Sequence, residues 1–163
     1  MTKTKSRIIL VGKAASGKDH LRKILEGRGF KYGVSYTTRP PRSGEIDGKD
    51  YYFLEESEFQ SLVEQGFFYE YISFNGWLYG TSKDQWNQTD DIFIMTPSGI
   101  GKIHAADRKH SFVIYIDIPQ EIRRNRLMSR NDNNDSIERR LEADERDFLN
   151  FTDFDIKITD HNF

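Results

Sequence analysis

A chain of 163 residues with 36% hydrophobic and 31% charged side chains has room for one domain with a substantial core, and its composition is globular rather than disordered. The net charge of −2 excludes a surface built as a whole to hold nucleic acid, and the absence of cysteine excludes disulfides and thiolate metal sites. Residues Met1 to Arg7 are basic, but the apolar run behind them, Ile8 to Val11, is too short for a signal peptide or a membrane span. The expected setting is cytoplasmic, with neither a membrane nor a nucleic-acid partner.

Arg7 to Gly12 (RIILVG) reads as a short buried strand ending at a glycine. Leu21, Ile24 and Leu25 then recur at helical spacing, and Gly27 and Gly29 stop that helix. The stretch 34–82 has a different texture. Tyr51 to Leu54 and Phe67 to Phe74 are aromatic-rich and read as strands, and Asn75-Gly76 ahead of Trp77 is a hairpin signal, since both turn positions want a positive φ. Between those strands Ser57 and Gln60 have the spacing of a capping box, with Gly66 just past the helix end. From Asp91 the strand–helix alternation returns, with a strand over Ile92–Met95, a short helix opened by Pro97 and Ser98, a strand over Phe112–Asp117, and Pro119 in the first turn of the next helix. Arg123 to Asp147 reads as two charged helical pieces joined by an exposed loop at Asn131–Asp135, and Phe154 to Ile158 as a last strand. Such alternation predicts an α/β fold with a mainly parallel sheet flanked by helices, interrupted by a β-rich insertion.

The junction of the first strand and helix carries the chemistry. Gly12, Lys13, Ala14, Ala15, Ser16, Gly17 and Lys18 satisfy G-x-x-x-x-G-K, in which glycines let backbone N–H groups turn toward phosphate oxygens and the lysine spans the β- and γ-phosphates of ATP. The next residue in such loops is usually Ser or Thr, whose hydroxyl binds Mg²⁺; here it is Asp19, a carboxylate also able to coordinate the ion. Downstream, Arg39 and Arg42 flank a Pro-Pro turn, where two guanidiniums can grip a phosphate dianion bidentately and the Tyr51 hydroxyl can add a donor. Arginines near prolines are usually solvated loop residues, so the weight rests on the whole pattern.

That pattern, Val34 to Leu54 (VSYTTRPPRSGEIDGKDYYFL), resembles the guanylate kinase signature, with Thr37, Thr38, Arg39, Arg42, Glu45, Gly48, Tyr51, Phe53 and Leu54 at the family spacings. The resemblance continues through Glu70 and Tyr79-Gly80-Thr81 and covers nearly the whole chain. It implies a P-loop kinase core at 1–33 and 83–163, a nucleoside-monophosphate-binding subdomain at 34–82 and a helical lid at about 126–142. It also implies phosphoryl transfer from ATP to GMP or dGMP, with Mg²⁺ accompanying ATP. By the same resemblance Arg39, Arg42, Glu45, Tyr51 and Tyr79 belong to the GMP-phosphate site, while Ser35, Glu70 and Thr81 read the base. A carboxylate at position 70 suits guanine, which offers N1–H and a 2-amino group where adenine would present a lone pair. Arg126 and Arg130, at i and i+4 on one helix face, and Arg140 align with arginines that close over the transferring phosphoryl group beside Lys18. Thr159 and Asp160 fall where the family has Asn-Asp near the adenine.

Two features depart from the pattern. Thr96 stands where the family carries an aspartate that serves the nucleotide and metal, which leaves a (deoxy)nucleoside monophosphate kinase of shifted or broader base specificity as an alternative. The family continues after the last strand into a further helix that this sequence does not contain, so monomer and homodimer both stay open. A binding module that kept the fold and lost catalysis is a third reading, set against the joint presence of Gly12, Gly17, Lys18 and the three lid arginines.

Overall fold

The structure, a computed structural model, describes residues 6–88, 91–130 and 136–163. The Asn131–Asp135 stretch, expected as an exposed loop, lies outside the described residues. Strand β1 (Arg7–Gly12) lies at the centre of a parallel sheet of order β6-β1-β7-β8, between β6 (Ile92–Ile94) and β7 (Ser111–Ile116), with β8 (Ile156–Ile158) beyond β7. Ile9, Leu10 and Val11 are fully buried in succession, because helices and loops cover both faces of a parallel sheet; hence an unbroken apolar run rather than an alternating one. Helices α1 (Lys18–Gly27), α4 (Pro97–Ile100), α5 (Ala105–Arg108), α6 (Gln120–Ser129) and α7 (Ile137–Asp147) surround this sheet.

The aromatic-rich insertion forms a second four-stranded sheet. Its order is β3 (Tyr52–Phe53), β2 (Tyr36–Thr37), β5 (Trp77–Ser82), β4 (Phe68–Phe74), with α2 (Glu56–Glu64) between β3 and β4 and α3 (Lys83–Asn87) after β5. Strands β4 and β5 pair antiparallel through the expected hairpin, with Asn75 at φ 52° and Gly76 at φ 82°. Trp86 ties the two sheets together. It is buried in the core against Phe93, its ring stacks on Tyr69 of β4 at 4.3 Å, and the Arg7 guanidinium lies 4.1 Å over it. The Asp107 carboxylate of α5 accepts the Tyr69 hydroxyl at 2.6 Å, so a residue of the second sheet is bonded to a helix beside the first.

Several local expectations are corrected. The cap of α2 is formed not by Ser57 and Gln60 but by Glu55 and Glu58, with the Glu55 N–H donating to Glu58 Oε1 at 3.2 Å. Acidic Glu56 and Glu58 favour the partial positive charge of the first turn, so the helix starts before Ser57. Pro119 is the N-cap of α6, one residue ahead of its first turn. The two-residue strand β2 and the short helices α3 and α5 carry too few residues for a period to register. Among the described residues no helix is long and apolar enough to cross a membrane.

Gly33 is required by contact rather than by backbone conformation. A Cβ at Gly33 would lie 2.4 Å from Cε1 of Phe93, a ring with no exposure and no room to retreat. Gly33→Ala should lower the unfolding free energy by about 1–3 kcal/mol in denaturant titrations. Gly27→Ala, whose new Cβ meets nothing within 4 Å, should be neutral or slightly stabilising.

Candidate active site

The phosphate loop leaves β1 at Gly12 and enters α1 at Lys18. Its turn needs left-handed backbone at Ala15 (φ 61°) and Gly17 (φ 105°), a conformation that costs an alanine about 1 kcal/mol and is held here by bonds from outside. Arg126 of α6 donates to Ala15 O at 2.9 Å and to His161 O at 3.1 Å. Asp144 of α7 accepts the Ala14 N–H at 3.0 Å. Lys18 folds back on Gly12 O and, at 3.2 Å, Lys13 O. Desolvation lowers its pKa to about 8, against the opposing charges of Asp144 and Asp19.

A cavity of about 480 Å³ opens over this loop. Gly12, Ala14, Ala15, Gly17, Lys18 and Asp19 face it from the core, and Ser35, Arg39, Arg42, Tyr51, Glu70 and Tyr79 from the second sheet and its connections. Arg126 and Arg130 of α6 also line it. Residues from Gly12 to Arg130 thus converge on one space.

Arg39 is buried, and Glu45 holds it with both oxygens, at 2.9 and 3.0 Å. Burial opposes the guanidinium charge, but this bidentate carboxylate outweighs it and keeps the pKa above the usual arginine value. Glu45 also accepts the Arg42 N–H at 2.6 Å, so it shapes the turn and does not itself line the cavity. Arg42 is pushed the other way, by burial and then by the like charges of Arg39 and Arg140. That is an anion-seeking arrangement. Tyr51 and Tyr79 stay protonated donors because burial raises both hydroxyls.

Glu70 is 7% exposed. A register shift in the β4–β5 ladder between Phe68 and Glu70 brings it beside Thr81, whose hydroxyl donates to Oε1 at 2.7 Å. Oε2 packs against Gly99, where a Cβ would come within 3.2 Å. Burial raises the carboxyl pKa, and the Thr81 bond opposes the rise. Thr81 itself stands behind Glu70, outside the cavity lining. Thr96 lines the cavity, with Oγ1 accepting the Gly99 N–H at 3.1 Å as the N-cap of α4.

Other expected residues are placed differently. Lys13 pairs with Glu145 at 3.0 Å and Ser16 is buried beneath the loop, neither lining the cavity. Arg140 lines a smaller adjoining cavity with Arg39, Arg42, Tyr79 and Asp144. Thr159 and Asp160 are exposed and outside the lining, which takes His161 and Phe163 from the same segment. Sequence reasoning passed over Asp144 and Asp147, both lining residues, because they sit in a run of charges that reads as solvated helix. The available signal was their phase: Arg140, Leu141, Ala143 and Asp144 form the buried stripe of α7.

For a metal ion, Asp19 presents a half-exposed carboxylate to the cavity, 3.4 Å from Arg22. Among the described residues no group of three or more His, Cys, Asp or Glu converges, so an ion here would take one carboxylate and find its other ligands on nucleotide phosphates, the usual habit of Mg²⁺.

A family model described as Guanylate kinase matches residues 4–163. A guanylate kinase of Nostoc sp. is 33% identical over 164 residues, an alignment spanning 96% of this chain and 82% of that protein. The guanylate kinase of Lactococcus lactis is 33% identical over 159 residues, spanning 93% and 78%. The crystal structure of guanylate kinase from Anaplasma phagocytophilum superposes with a TM-score of 0.72, at 24% identity, over 97% of this chain and 78% of that one, which bears on the fold. The chain belongs to the guanylate kinase family, phosphotransferases that act on GMP at the expense of ATP.

Proposed function

We propose that this cavity binds ATP at the Gly12–Asp19 loop and GMP or dGMP at the second sheet, and passes the γ-phosphoryl group between them to give ADP and GDP or dGDP. The observation that carries this reading is the pairing, in one cavity, of a P-loop lysine with the buried Arg39, the half-buried Arg42, Tyr51 and Tyr79, and a buried two-oxygen acceptor, Glu70. In the proposed reaction an oxygen of the acceptor phosphate attacks the γ-phosphorus, the bond to the β–γ bridging oxygen breaks, and ADP leaves with that electron pair. The acceptor phosphate is already ionised at neutral pH, so no general base is needed.

The residues divide the work by charge. Lys18 spans the donor phosphates once they displace it from Gly12 O. Arg39 and Arg42 hold the acceptor dianion with Tyr51 and Tyr79, Glu45 keeping Arg39 in place. Arg126, Arg130 and Arg140 neutralise the charge that spreads over the equatorial oxygens, an effect worth roughly 10³–10⁵-fold for one well-placed arginine. Ser35 and Glu70 read the base, with Thr81 fixing one Glu70 oxygen, and Thr159 and Asp160 flank the adenine side. Asp19 would hold Mg²⁺, which when bound supplies positive charge to the β- and γ-phosphate oxygens.

A shift in base choice is the second reading, and Thr96 favours it: its hydroxyl oxygen accepts the Gly99 amide, and it brings no carboxylate to the cavity. ADP release with ATP, Mg²⁺ and each of GMP, dGMP, AMP, CMP, UMP and dTMP separates the two, turnover confined to the guanine pair supporting the first. Lys18→Ala should reduce turnover by roughly 10²–10³-fold or more with an unchanged circular dichroism spectrum, and full activity would sink the assignment of the loop. Glu70→Gln should weaken GMP selectively by about 1–3 kcal/mol relative to AMP, and equal losses would remove Glu70 from base reading. The lysine must be protonated to pair with phosphate, so kcat/KM for ATP should hold below pH about 8 and fall as pH rises through it. A profile flat to pH 10 would show that the free enzyme keeps Lys18 charged.

A further inference from the structure

Asp144 has no part in the reaction described above, yet its side chain is only 3% exposed. It lies one helical turn beyond Arg140 on α7. Its Oδ2 accepts the Ala14 N–H at 3.0 Å and lies 3.5 Å from Nη1 of Arg123, a residue of α6 that is 2% exposed and held by its Nε donating to Ile118 O at 2.9 Å. Lys18 of α1 faces the same carboxylate, and Asp147 adds a like charge one turn on. The neighbouring Glu145 accepts Lys13 Nζ at 3.0 Å. Two consecutive acidic residues of α7 are therefore fastened to two consecutive residues of the phosphate loop.

Burying a carboxylate is tolerated only where its partners are in place, and these partners come from three separate elements. The burial of Asp144 thus fixes where α7 stands against the loop. What α7 carries there is Arg140, beside Arg39 and Arg42 in the adjoining cavity. Three guanidiniums repel one another, and Arg42 registers that repulsion from both of its neighbours. An anchor on its own helix, one turn away, opposes that repulsion.

We propose that Asp144 is a positioning residue that seats α7 on the phosphate loop and thereby holds Arg140 against the acceptor-phosphate arginines. The proposal rests on the reading of Arg140 as a group acting on the transferring phosphoryl. A purely structural role would cost stability and leave turnover per folded molecule alone.

The test is a double-mutant cycle. Asp144→Asn keeps an acceptor for the Ala14 N–H and gives up the charge, and Asp144→Ala gives up both. Each is measured alone and with Arg140→Ala, reading kcat, the GMP dissociation constant by calorimetry, and the folded fraction. Asp144→Ala should lower kcat by roughly 10- to 10²-fold with GMP affinity near the parent's, and Asp144→Asn by less. The double variant should be no slower than Arg140→Ala alone, because both changes act through one guanidinium. Losses that multiply would overturn the proposal, as would an Asp144→Ala enzyme altered only in its KM for ATP. Parent-like kcat in the Arg140→Ala single variant would remove the premise about Arg140, and it is told apart because it needs no change at Asp144. Should Asp144→Ala fail to fold, the near-isosteric Asp144→Asn completes the same cycle.

Discussion

A site for two phosphorylated nucleotides has to store positive charge before either ligand arrives, and this constraint organises the molecule. Lys18, Arg39, Arg42, Arg126 and Arg140 converge on one pair of cavities, and left alone they would repel. The storage is achieved unevenly. Arg39 is fully matched by Glu45, Lys18 is partly matched by Asp144 and Asp19, and Arg42 is held with its charge disfavoured by both arginine neighbours. The carboxylates thus set how much net positive charge the fold carries around the two cavities.

The same carboxylates connect parts of the chain that are distant in sequence. Asp50, just before Tyr51, accepts Arg22 of α1 at 2.8 Å, and Arg22 also lies 4.5 Å over the Tyr32 ring, so the helix following the phosphate loop braces the segment that carries Tyr51. On the far side, Asp107 draws Tyr69, Trp86 and Arg7 together. The acceptor sheet is thus bonded to the core at two places, with the cavity between them. Ion pairs so buried are poor sources of net stability but strong determinants of which arrangement is adopted.

How much of this was legible in the sequence depended on whether the signal was local. The G-x-x-x-x-G-K loop, the Asn75-Gly76 turn and the buried strand over residues 7–12 are each dictated by neighbours in the chain, and the structure has them where local rules put them. The spacing of Arg39, Arg42 and Tyr51 was equally plain, although Glu45 is the clamp on Arg39 and does not face the cavity. What escaped was non-local. Asp144 looks like any acid in the run Glu138–Asp147 until α7 meets the loop, and β2 is two residues long because β3 and β5 define it. The α2 cap was misplaced for a local reason, a choice between two spacings two residues apart, decided by the acids at Glu56 and Glu58.

The two tryptophans occupy separate environments, and this gives the molecule built-in optical reporters. Trp86 is 1% exposed in the core, stacked on Tyr69 and beneath Arg7, so its emission is that of a dry, rigid indole and changes when the core comes apart. Trp77, next to the hairpin turn, lines the small cavity with Arg39, Arg42 and Arg140. An anion bound there would alter the field on its ring without touching Trp86. The two indoles would therefore report on different parts of the molecule, one on the core and one on the small cavity, and no label has to be introduced.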